Sequence, residues 1–194
     1  MRWPLILLLV VLAACMERPS GVPPDRAPAR RGETLAGLDR EVFRATNQAR
    51  QSNGRPPTRW SRALAAVAAR HSADMARRGY FDHLSPDGLY PTDRAVRGGV
   101  RCRVTLAGGR TRTGVLENLY QSTRYRGYRD RTQHGRTVRT WDWYTSEDLA
   151  QRAVRGWLAS TGHRRNLLDP SATSQGVGAA VGAGQRVYVT QVLC

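Results

Sequence analysis

G-W-L-A-S-T-G-H-R-R-N-L-L-D-P, residues Gly156 to Pro170, is the stretch from which the rest of the chain can be read. Its first half ends an amphipathic helix at Gly162. Its second half places His163 at the mouth of a further helical turn that Asp169 and Pro170 stop. The backbone reverses at a helix end, so a short loop presents the next side chain to whatever faces it. An imidazole held there titrates near neutral pH and can act as acid, base, hydrogen-bond partner or ligand.

Upstream, Thr145-Ser146-Glu147-Asp148 sets a hydroxyl three residues before an acid, the signature of a capped helix start. The helix it opens carries Leu149, Ala153, Val154, Trp157 and Leu158 at helical spacing. Downstream, Gly176 to Val181 and Arg186 to Leu193 read as strands joined by a Gly-Ala-Gly turn. They are predicted to pair as the last hairpin of a central sheet.

Toward the N-terminus, Leu38, Val42, Ala45, Thr46 and Ala49 mark a first helix that Asn53-Gly54 ends. A second stripe, Trp60, Leu64, Val67, Ala68, His71 and Met75, runs to Gly79. His71 on that stripe is read as a hydrogen-bonded core residue and left out of the site. His83 follows Tyr80-Phe81 and precedes Ser85-Pro86-Asp87-Gly88, which fits a rigid type I turn, so its direction is fixed. Thr92-Asp93-Arg94 caps a short helix that Gly98-Gly99 ends, and Arg101 to Thr113 is polar, Gly-rich and not helical. In Val115-Leu116-Glu117-Asn118-Leu119-Tyr120, a carboxylate and an amide stand inside an apolar run. A carboxylate buried there needs a cation or several donors. Residues 121–145 interleave arginine with tyrosine and tryptophan. They read as an exposed β-hairpin with His134 at its tip, the alternative being a stacking surface for bases, sugars or headgroups.

At 194 residues the chain supports one good core, so a monomeric single domain is the expectation. The net charge is +16, and all 31 basic residues are arginine, which favours anionic partners: envelope components, lipid or nucleic acid. The N-terminus chooses among these. Met1-Arg2 is a positive start, and Leu5 to Leu12 is an apolar run too short to span a bilayer. Leu12-Ala13-Ala14-Cys15 looks like a bacterial lipobox, so residues 1–15 are predicted to be a lipoprotein signal whose Cys15 is acylated. Residues 16–33, with four prolines, read as a tether, and 34–194 as the domain. An exported protein meets little nucleic acid. With Cys15 acylated, Cys102 and Cys194 are predicted to pair in an oxidising compartment. Closing that loop stabilises by roughly 4–5 kcal/mol on loop-entropy grounds.

Five motifs in order carry a resemblance: H-S-A-D-M-A from His71, Y-F-D-H-L-S-P-D-G from Tyr80, E-N-L from Glu117, W-L-A-S-T-G-H-R-R-N-L-L from Trp157, and G-V-G with Y-V-T-Q near the C-terminus. Together they resemble the bacterial branch of the CAP superfamily, which includes cysteine-rich secretory proteins, antigen five and plant pathogenesis-related proteins. The resemblance implies an α+β fold, a three-layer α-β-α sandwich with a central antiparallel sheet and a cleft. The family's two cleft histidines map onto His83 and His163, and the glutamate of its G-E-N motif onto Glu117. Leu116 replaces the glycine of that motif, and Ser160 stands where a second glutamate is expected. His83, Glu117, His163, Ser160 and Asn118 are therefore the expected cleft residues.

No single reaction unites such proteins, and fold does not settle function. The first expectation is a non-catalytic envelope lipoprotein, requiring no cofactor, that binds a lipid, glycan or protein ligand. The second is a metal-assisted hydrolase of peptide or cell-wall bonds. His83, Glu117 and His163 match the ligand types of an open zinc site, but the missing second carboxylate removes an obvious general base. Met16 is not the aspartate that retains lipoproteins at an inner membrane, so a Gram-negative host should carry the protein on its outer membrane. A Cys15→Ser chain should leave the membrane fraction under a high-salt wash, and one that still fractionates wholly with membranes after that wash contradicts the anchor.

Overall fold

Strand alternation and helical spacing together produce three layers. The computed structural model describes residues 35–194, so the signal segment, Cys15 and the tether 16–33 lie outside the described residues. In chain order the elements are α1 (Leu38–Ser52), β1 (Arg59–Trp60), α2 (Arg62–Arg78), α3 (Pro91–Arg97), β2 (Arg103–Thr105), β3 (Thr111–Thr113), β4 (Leu116–Thr123), β5 (Tyr125–Gln133), β6 (Arg136–Trp143), α4 (Ser146–Ala159), α5 (Thr161–Leu167), β7 (Ser174–Val181) and β8 (Arg186–Leu193). The central sheet runs β1-β7-β8-β4. It is antiparallel as expected, except that β1 joins β7 in parallel at one edge.

Side chains alternate across β8 and so divide the core. Val187 and Val189 face α1 and α4, packing with Leu38, Val42, Leu149, Ala153 and Trp157. Val192 faces the opposite layer, with Leu64, Val67 and Ala68 of α2 and Ala95 of α3. The expected α-β-α sandwich is thus present. Its α2 layer lies unusually close to β7 because glycine recurs on that face. A Cβ at Gly176 would sit 2.0 Å from the Ala65 nitrogen, and one at Gly178 2.1 Å from that of Ala69.

Several local expectations hold. Gly79 ends α2 at φ 72°, Gly88 N donates to Ser85 O at 2.8 Å across the Ser85–Gly88 turn, and Thr145 and Asp148 cap each other at the start of α4. Cys102 and Cys194 are disulfide-bonded, tying the segment before β2 to the end of β8. Three details differ. Trp60 is not on the α2 stripe; it lies in β1 and meets Phe43 edge-on at 5.3 Å, while Ser61 caps α2 through Leu64 N. Gly162 does not end α4, because the chain passes through one extended residue, Ser160, straight into α5. The hairpin within the basic segment starts at Tyr125, since β4 keeps its pairing with β8 through Thr123.

The close approach of α2 generates a test. Gly178→Ala forces a methyl into α2 backbone, an overpacking error of about 3 kcal/mol. The thermal midpoint should fall by about 6–12 °C, whereas an unchanged midpoint would contradict the packing.

Candidate functional site

Strand β4 is the outermost strand of the central sheet among the described residues, and its alternation sends Glu117 and Asn118 to opposite faces. Glu117 points toward α2 and α3 and is buried, with 1% of its side chain exposed. A carboxylate there must be compensated, and it is. Arg94 of α3 places Nη2 2.9 Å from Oε1 and 2.8 Å from Oε2. His83 donates from Nδ1 to Oε1 at 2.8 Å. The other nitrogen of Arg94, Nη1, donates to the carbonyls of His83 and Leu89 at 2.7 and 2.6 Å. One guanidinium therefore fixes both the carboxylate and the loop that carries His83. With Nδ1 engaged by Glu117, Nε2 is the ring nitrogen of His83 left for an incoming group.

His71 is the buried, hydrogen-bonded residue expected, donating to Asp82 O at 3.1 Å. Its Nε2 also lies 3.9 Å from Glu117 Oε1, so it forms the floor of the site from which the sequence reading left it out. Burial lowers its pKa, with Glu117 opposing that shift.

His163 reaches the same place from the opposite layer. It sits in the first turn of α5, half-buried, with its ring centroid 6.3 Å from that of His83. Burial and the neighbouring His83 lower its pKa. The helix is held against β4 by Asn166, which donates to Glu117 O at 2.9 Å and Asn118 Oδ1 at 3.1 Å. Buried Arg50 holds its far end, donating to the carbonyls of Leu167, Asp169 and Ala172.

Of the five expected cleft residues, His83, Glu117 and His163 come together. Asn118 does not join them. It is fully buried on the other sheet face, donating to His163 O and Gln191 Oε1, so it positions α5. Ser160 is half-buried at the α4–α5 junction, where its carbonyl accepts from Arg164 N. Arg94 and Asn166 were missed. The need for a cation at Glu117 was legible, but Arg94 read only as part of a helix cap. Zinc at His83, Glu117 and His163 does not fit this arrangement, because both carboxylate oxygens are engaged by Arg94 and one also by His83. Among the described residues no group of three or more His, Cys, Asp or Glu is placed to hold a metal ion.

A family model described as the cysteine-rich secretory protein family, CAP, matches residues 43–193. The chain is 28% identical over 145 residues to the uncharacterized protein YkwD of Bacillus subtilis (strain 168), a match covering 75% of this chain and 43% of that protein. Among solved structures, an extracellular protein containing a SCP domain from Bacillus anthracis str. Ames is similar at a TM-score of 0.56 and 29% identity, covering 81% of this chain and 40% of that one. An outer surface protein from Borrelia burgdorferi has a TM-score of 0.56 over 83% of this chain and 94% of its own, and at 12% identity it speaks for the fold alone. This chain thus spans less than half of its Bacillus relatives. The ordered motifs, the sandwich and the match over residues 43–193 agree: the chain belongs to the cysteine-rich secretory protein (CAP) family.

Proposed function

We propose that the protein is an exported envelope lipoprotein whose CAP domain holds a lipid ligand between His83 and His163 without turning it over. The observation that carries this reading is the clamp of Arg94 on Glu117. A general base must be free to take a proton from substrate or water. Glu117 has 1% of its side chain exposed, with both oxygens engaged. The two imidazoles are accessible instead, with 45% of the His83 side chain exposed. Around them the loop after α2 exposes Phe81, Leu84 and Tyr90. Polar imidazoles beside an apolar lip suit an amphiphile, with a head on the histidines and a body along the loop.

Export is supported by the lipobox-like Leu12 to Cys15, by the disulfide, and by the extracellular protein among the structural relatives. A metal-assisted hydrolase finds no support in the ligand geometry.

The test pairs binding with turnover. Titration with lipid extracted from the protein's own envelope should shift the ring resonances of His83 and His163. Peptide and cell-wall substrates should stay intact with or without chelator. Chelator-sensitive cleavage of either substrate class would establish the hydrolase instead.

A further inference from the structure

The β5–β6 hairpin pairs with no other strand among the described residues, so its own side chains must hold it. One face does this. Tyr125, Tyr128, Trp141 and Trp143 pack on one another at centroid distances of 4.8–6.2 Å. Arg139 continues that face, lying 3.8 Å over Tyr128 and pairing with Asp130 at 2.6 Å.

The pairing register puts Arg129, Arg131 and Arg136 on the other face, opposite Thr140, Val138 and Gln133. These three arginines are exposed, and none forms an ion pair among the described residues. The remaining acid of the hairpin, Asp142, pairs with Arg126 near the base. The outer half of this face is thus cationic and free of acid, with Val138 64% exposed between the arginines. With His134 and Thr137 at the tip it lines an open hollow of about 720 Å³. The aromatic face packs on itself, and these three arginines stand exposed on the other side.

We propose that this arginine face docks on the surface of an anionic phospholipid bilayer. Guanidinium groups bind phosphate through paired hydrogen bonds, and an apolar side chain among them can enter the headgroup layer. Single-stranded nucleic acid would need stacking platforms beside the cations. Here the aromatic rings lie on the opposite face, packed on one another. The inference rests on the envelope reading, in which residues 16–33 tether the domain to Cys15. A chain of that length reaches at most about 60 Å from the membrane.

The test uses the chain from Met16 onward, which keeps every described residue and lacks the anchor, so failure of vesicle binding is separable from failure of Cys15 processing in cells. Flotation is measured with phosphatidylglycerol-containing vesicles and with pure phosphatidylcholine vesicles. Each arginine near an anionic surface contributes roughly fivefold. R129Q/R131Q/R136Q should therefore weaken binding to the anionic vesicles by roughly a hundredfold. R55Q/R59Q/R62Q removes the same charge from positions outside the hairpin and should weaken it only a few-fold. Equal losses in the two variants would mean that net charge alone drives binding, and would overturn the proposal. So would hairpin-dependent binding of duplex nucleic acid by a protein that ignores the vesicles.

Discussion

A carboxylate buried on an edge strand is the constraint around which this site is built. A carboxylate packed beneath α2 and α3 needs a cation beside it, and removing one partner of such a pair costs about 3–5 kcal/mol. Arg94 supplies the cation, and its second nitrogen holds the carbonyls of His83 and Leu89. The same residue of β4 offers its backbone carbonyl to Asn166 of α5, which brings His163 from the far layer. One strand position therefore recruits both imidazoles: His83 through its side chain, His163 through its main chain.

The other face of the sheet explains why β4 can bear this load. Asn118, Gln191 and Gln175 form a chain of amide hydrogen bonds across β4, β8 and β7, ending on Thr46 and Thr58. Every link is buried, where such networks fix one register because a slip would orphan several polar groups at once. The register of β4 sets which residue faces Arg94, so this network and the site depend on the same alignment.

Much of this was legible in the sequence because it rests on local signals. Gly79, the Ser85–Gly88 turn and the Thr145–Asp148 cap are each read from a few neighbouring residues and recur in the structure. The disulfide followed from counting thiols. What stayed hidden was long-range pairing. Nothing local distinguishes Arg94 from the other arginines of the chain; its role exists only because the fold sets α3 beside β4. Asn118 adjoins Glu117 in sequence, yet strand alternation sends the two to opposite layers. Trp60 fitted a helical stripe by spacing, but its parallel pairing with Gln175 placed it in β1.

The claim that Glu117 is a structural anion held by Arg94, and not a free catalytic group, is tested most directly by a double-mutant cycle on unfolding free energy with Arg94→Met, Glu117→Gln and the pair. The clamp leads us to expect that the double variant loses less stability than the sum of the single variants by about 2 kcal/mol or more. Losses that add to within about 0.5 kcal/mol would show the two residues to be energetically independent and would contradict the clamp.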